Sequence, residues 1–461
     1  MRIRPRVPIH SHHKRMHKTD PLGKDRAGVW SEKVVPYSLC LLAAVEFVIR
    51  GPLRYFHWTN WNDLAQNYAA TRLWLRGQNF ANPENFVALW RDELGSPLSA
   101  LTVRTHLAPP PGTLVLLAPI GALPWHWAKL LWLTILVGSV IATIWALAAT
   151  AGFGFKEPRT IMFVAASLAF APFHTGIATA NQTILVVALC ALGILAAERQ
   201  HDLLPGLLFG AACSLKPHIG TFIVAYYLVR RRWRLFATSV ITVALLAFVA
   251  ILWLRVCNVH WEDDYLQNIR VLALQNKIDD FTAANPIRFL LINLQVPFYS
   301  FTHNAKWSNV SALTVGIVLV SIWAFVTLKG SVKRKTLLSL SAIAVIGLLP
   351  VYHRFYDASL LTIPLCWAVR EFSSDLKTVS RAVLLLLIPF LVPGTALLQQ
   401  LEAHGRVPSF LTSSRLWDCV VMAHQSWCLL ALSFVLLYGI MLVNANDAME
   451  PVTAKTASID G

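Results

Sequence analysis

The chain has 461 residues, of which 56% are hydrophobic and 14% charged, with a mean hydropathy of +0.54. A soluble domain carries roughly a quarter charged residues, so this composition excludes an ordinary soluble enzyme and points to a chain dissolved largely in lipid. The net charge of +16 lies in short runs beside apolar stretches: nine Lys and Arg in the first 33 residues, then Arg230 to Arg234 and Lys329 to Lys335. That is the positive-inside pattern, so the excess charge reads as orientation, and no nucleic-acid partner is expected.

Residues 1–33 are expected to form a basic cytoplasmic tail. The stretch is too long and polar for a usual signal peptide, and no small-residue cleavage site follows the first apolar run. His10, His12, His13 and His17 belong to that tail and read as solvated. About 20 apolar residues make one helical span, and backbone in lipid must be helical or form a closed barrel. The sequence predicts twelve spans, at 34–53, 107–123, 128–150, 160–177, 183–197, 203–229, 235–256, 310–328, 336–351, 358–369, 383–398 and 420–443. The resulting all-α transmembrane bundle occupies 34–444 and is followed by a second cytoplasmic tail at 445–461. Residues 203–229 carry Lys216-Pro217 at their centre and read either as one broken helix or as two half-helices.

Two polar stretches, about 54–106 and 257–308, are predicted outside. In the first, Leu64, Tyr68, Thr71 and Leu75 recur at helical spacing beside Arg72 and Arg76. This predicts an amphipathic helix lying in the membrane interface, with Trp58, Trp61, Trp74 and Trp90 as an aromatic belt. The second is acidic, with Glu262, Asp263, Asp264, Asp279 and Asp280, and reads as a solvated surface. Seven cysteines lack a C-x-x-C spacing, so neither a redox motif nor a metal motif is indicated. No phosphate loop, dinucleotide glycine pattern or H-E-x-x-H occurs, and no cofactor is required.

Asp63 follows the first span and opens the interfacial helix. A carboxylate there sits at the lipid surface yet reaches water, which suits a general base acting on a hydroxyl beside a lipid-linked substrate. An N-terminal cap is the alternative role, and the two are compatible. Lys216 and His218 flank Pro217 deep in an apolar segment, where an ionisable group is costly and marks a functional hypothesis. A cation there can hold a phosphate; snorkelling to an interface is the alternative. Tyr352, His353, Arg354 and Asp357 crowd a hinge between two spans. Arg354 and Asp357 form a local ion pair, or His353 and Arg354 grip a phosphate or a sugar hydroxyl. Asn181-Gln182 is a polar pair that lines the same cavity or marks a turn.

In this order the pieces resemble glycosyltransferase family 87, the polyprenol-phosphate-mannose-type mannosyltransferases with a GT-C fold. The family's aspartate after the first span, leading into a "Tyr-x-Ala-Ala" helix with an arginine and a glycine, looks like Asp63, Tyr68-Ala69-Ala70, Arg72 and Gly77, then Asn82-Pro83. Its "Tyr-Pro-Pro" element is similar to Pro109-Pro110-Pro111. Its "Gly-Gln-x-Asn" element is altered here to Ala180-Asn181-Gln182-Thr183. Its glycine-rich run ending in lysine is matched by Gly206-Leu207, Gly210, Ala212 and Lys216. The resemblance implies an inverting transfer of a hexose, mannose in the family, from a polyprenyl-phosphate sugar donor to a glycolipid or glycan acceptor. It implies the outer face of the cytoplasmic membrane as the place of reaction and Asp63 as the base. Lys216, His218, His353, Arg354, Asn181, Gln182 and Tyr68 are then expected around the substrate. A secondary transporter or flippase of a lipid-linked sugar is the rival reading, because broken helices also build transport sites.

Overall fold

The computed structural model describes residues 25–57, 62–95, 108–154, 157–272, 279–329 and 335–456. The four tail histidines, Trp58 and Trp61 lie outside the described residues, as do the greater part of the first tail and the end of the second. Among the described residues every regular element is helical. Six helices are long and apolar enough to cross a membrane: Val34–Phe56, Trp125–Ala151, Trp233–Val256, Ala305–Leu328, Lys377–Ala403 and His424–Asp447. The pair Pro158–Leu168 and Ala171–Ala178, bent by 44°, makes a seventh if it is one span. Pro172 at the start of the second member removes a backbone donor and accounts for the break.

The twelve expected spans therefore do not become twelve long helices. Pro111–Gly121, Leu203–Leu215, Pro217–Val229, Thr336–Gly347 and Thr362–Glu371 hold only 10 to 13 residues each. Such helices reach about 15–20 Å, short of the ~30 Å hydrocarbon core. The open question at 203–229 resolves as two half-helices. Lys216 is extended between them (φ −141°, ψ 91°), and Pro217 opens the second half-helix, where its missing N–H costs nothing.

The two halves double back as a hairpin. Asp202, just before the first leg, bonds Arg232, just after the second, at 2.5 Å. The first leg runs alongside Trp233–Val256, with Gly206 against Thr238 and Gly210 against Thr242. Small residues four apart let two helices approach closely in lipid, which gives the glycine-rich run its physical reason. Thr336–Gly347 and Thr362–Glu371 form the legs of a second hairpin, joined through residues 348–354 and the 3₁₀ turn Phe355–Leu361. The second polar stretch laces this hinge: Ile292 N–H donates to the His353 carbonyl and Leu294 N–H to the Leu349 carbonyl, each at 2.9 Å.

The basic turns gather at one end of the bundle. Arg230 donates to the Thr327 carbonyl at 3.1 Å, Arg232 pairs with Asp202, and Lys335 bonds Asn444 and lies 3.5 Å from Asp447. The tips of both hairpins point away from that end.

The helix Asn62–Leu75 forms as predicted, and its apolar stripe packs against protein where packing against lipid was expected. Leu64, Tyr68, Ala69, Ala70, Thr71 and Leu73 are all at most 2% exposed. Its docking partner is Pro111–Gly121, whose terminal carbonyls at Gly121 and Ala122 accept from Arg72 at 3.0 and 3.1 Å. A guanidinium at a helix C-terminus meets orphan carbonyls and the negative end of the dipole. Trp74 and Trp90 are likewise buried rather than belted, and Trp74 donates to the Ala250 carbonyl at 3.0 Å. In the acidic stretch, Asp264 accepts from Asn79 at 2.7 Å, and Asp280 caps its own turn through the Thr282 N–H at 2.8 Å. Asp264 thus ties the two polar stretches together and Asp280 orders its own turn, so these two carboxylates are not merely solvated.

Candidate active site

Four chain breaks meet where the hairpin tips converge. They are the start of Asn62–Leu75, the start of Thr183–Glu198, the Lys216 joint and the hinge at 350–357. Helix starts and broken helices leave backbone groups and polar side chains facing inward, which is why the chemistry-bearing residues collect there.

At the centre is a buried ion pair. Lys216 Nζ lies 2.9 Å from Asp357 Oδ1, with side-chain exposures of 9% and 0%. Asp357 is held further by the Arg354 N–H at 3.1 Å and by His353 Nδ1 at 3.3 Å, both on Oδ2. Lys216 also donates to the Thr183 hydroxyl at 2.6 Å and lies 4.7 Å from the centre of the Tyr356 ring. Of the two readings of the hinge, the local ion pair of Arg354 with Asp357 gives way to a pair of Asp357 with Lys216 across 141 residues of chain. Lys216 is committed to this carboxylate and does not line the cavity described below.

From the pair, polar contacts run outward. Thr183 Oγ1 lies 2.6 Å from Asp357 Oδ1 and 2.7 Å from Asn181 Oδ1. Asn181 Nδ2 donates to Asp63 Oδ2 at 2.7 Å. Gln182 donates to the Leu215 carbonyl at 2.9 Å and so holds the end of the first hairpin leg. Asn181, Lys216, His353 and Asp63 therefore share one neighbourhood. Tyr68 does not: its hydroxyl donates to the Leu123 carbonyl at 2.9 Å and its ring packs on Trp125, which makes it part of the helix dock.

Asp63 lines a cavity of about 360 Å³. The same walls carry Arg50, Arg54, His174, Arg354, Gln400 and Gln425, with Tyr356, Phe355 and Leu290 as apolar neighbours. Three arginines and one carboxylate line the cavity, and Arg50 is also paired with Glu46 while Arg354 faces Asp279 as well as Asp63; guanidinium groups from separate elements can grip an anion from two directions. His174 is 2% exposed, and its Nε2 lies 2.6 Å from the Leu168 carbonyl. A carbonyl only accepts, so Nε2 carries the proton and Nδ1 is left for another partner.

Arg50, Arg54 and His174 escaped the sequence reading, although signals were present. The two arginines sit at the far end of the first span from the basic tail, where positive-inside charge does not place them. His174 is an ionisable group within an apolar segment. His218 and His353 pack edge to face with centroids 4.9 Å apart, and each has an Nε2 without a protein partner. With Asp357 they form the described group best able to hold a metal, their ligand atoms lying within 4.8 Å of one another. The fit is poor, because Lys216 already neutralises Asp357 and a divalent ion would face its ammonium.

Among the described residues the chain is a polytopic helical bundle whose broken helices meet beside an acid and several arginines, the architecture of a membrane protein with a polar site between its helices. The profile of Glycosyltransferase family 87 matches residues 109–350, more than half of the chain, and the chain belongs to that family. It is a membrane glycosyltransferase. No curated protein and no solved structure matches it. The matched region contains Asn181, Thr183, Lys216 and His218, while Asp63, Arg54 and the residues His353 to Asp357 lie beyond it.

Proposed function

We propose that the enzyme transfers a hexose, mannose by family resemblance, from a polyprenyl-phosphate donor to a hydroxyl of a glycolipid or glycan at the outer face of the cytoplasmic membrane. Asp63 takes the proton of the acceptor hydroxyl. The acceptor oxygen forms its bond to the sugar's anomeric carbon as the bond from that carbon to the phosphate oxygen breaks. The carbon inverts, and the lipid phosphate departs with the electron pair. Arg50, Arg54 and Arg354 receive the developing charge, the part that sequence reasoning gave to Lys216, His218, His353 and Arg354. Fixed cations where charge appears in the transition state stabilise it most. The arginines supply positive charge at that point, so this reading of the reaction requires no metal or cofactor.

The observation that carries this reading is the placement of Asp63 and three arginines on the wall of one cavity. A lipid donor also accounts for a cavity within a helical bundle in place of a nucleotide-binding domain. The test is transfer by purified protein from radiolabelled polyprenyl-phosphate mannose, and from other lipid-linked sugars, to a membrane-lipid extract. Asp63→Asn is expected to lower turnover by about 10²–10⁴-fold, the usual worth of a general base. Undiminished transfer by Asp63→Asn, or no labelled product from any lipid-linked sugar with the unaltered enzyme, overturns the proposal.

A further inference from the structure

Asn181 connects the cavity to the buried ion pair, and its orientation is fixed by the groups around it. The Thr183 backbone N–H, which can only donate, lies 2.9 Å from Asn181 Oδ1. The amide oxygen must therefore face Thr183, and the NH₂ must face Asp63, which it reaches at 2.7 Å. The Thr183 hydroxyl completes the arrangement. It accepts from Lys216 at 2.6 Å and has one proton to give, either to Asn181 Oδ1 or to Asp357 Oδ1. Asn181, Thr183 and Asp357 are 5%, 0% and 0% exposed. Buried polar groups in a fully satisfied network have little freedom to rearrange.

We propose that Asn181 is the positioning residue for Asp63, and that Thr183, locked by the Lys216–Asp357 pair, holds Asn181 in place. The inference rests on the reading of Asp63 as the base. A carboxylate held by a donated hydrogen bond keeps one direction toward the substrate. The other charged and titratable groups around it are Arg50 with its partner Glu46 and Arg54 from the end of the first span, His174, Asp279 from the second polar stretch, and Tyr352, Arg354 and Tyr356 from the hinge. None of these is altered in the variants below.

The experiment uses the purified full-length chain in detergent and two readouts. The first is the time course of carbodiimide labelling of Asp63, read by peptide mass spectrometry; the reagent attacks the protonated carboxyl and needs no turnover. In Asn181→Ala labelling of Asp63 is expected to be about tenfold faster at a fixed pH, the equivalent of one lost hydrogen bond. The second is transfer from polyprenyl-phosphate mannose, where kcat is expected to fall about 10-fold on the same free energy, with KM for the donor within about twofold. Thr183→Val should move both readouts in the same direction by a smaller amount, and Thr183→Ser, which restores the hydroxyl, should recover most of the effect. A labelling curve for Asn181→Ala that overlays the parent, or a loss confined to KM, overturns the positioning role even if Asp63→Asn abolishes transfer. A shifted labelling curve in a protein that transfers no lipid-linked sugar supports the positioning of Asp63 and sinks the proposed reaction instead.

Discussion

A lysine buried between hairpin legs must lose its proton or find an anion, and Lys216 finds Asp357. The sequence showed the cost of that charge but not the partner, because the carboxylate lies 141 residues away and no local pattern links them. Asp63, Asn181 and His353 were each recognisable by residue type at a membrane exit. Their grouping was not, since it depends on which chain breaks meet in space. Removing one member of such a pair strands the other in low dielectric, and about 3–5 kcal/mol is the usual cost. Asp357→Asn and Lys216→Met are therefore expected to lower the thermal unfolding temperature in detergent strongly. The double variant Lys216→Met/Asp357→Leu should regain much of that stability, because an apolar pair needs no counter-charge, yet remain impaired in transfer. Additive losses in the double variant would show that the two side chains do not depend on each other.

At the scale of elements, hydropathy located nearly every apolar segment but misjudged several lengths. A window of apolar residues cannot distinguish one helix crossing the membrane from two short legs that return, as the Leu203–Leu215 and Pro217–Val229 pair does. The helix at Asn62–Leu75 was legible from its periodicity, whereas its burial was not, because an apolar stripe fits a protein groove as well as a lipid surface. Close approach of the hairpin legs depends on Gly220, where an added Cβ would come within 2.8 Å of the Cys213 backbone nitrogen. Backbone cannot swing aside as a side chain can, so Gly220→Val must push the legs apart and carry Lys216 with them. The expected result is a lower unfolding temperature together with reduced transfer. Gly138, inside Trp125–Ala151 with nothing within 4 Å of its would-be Cβ, supplies the control: Gly138→Ala should lower neither, since Ala favours a helix interior over Gly.

For the whole molecule, charge distribution and architecture give one orientation. The basic turns converge on one end through Arg230, Arg232 and Lys335, while the Lys216 tip and the loops joined by Asn79 and Asp264 lie toward the other. Lys and Arg near span ends stay in the cytoplasm, so the cavity is expected to face outward, on the side where a lipid-linked sugar would be used. Arg50 and Arg54 run against that rule, and their place on the cavity wall offers a reason for retaining charge at the opposite end. Single cysteines at exposed sites test the arrangement directly. Glu84 lies in the first polar stretch, and Ser373 in the turn after Thr362–Glu371, near the basic end. A membrane-impermeant maleimide added to intact cells should label Glu84→Cys and leave Ser373→Cys unlabelled until the membrane is opened, with the unaltered chain as the background. The reverse pattern would put the cavity in the cytoplasm, where an outward-facing lipid-sugar donor could not reach Asp63.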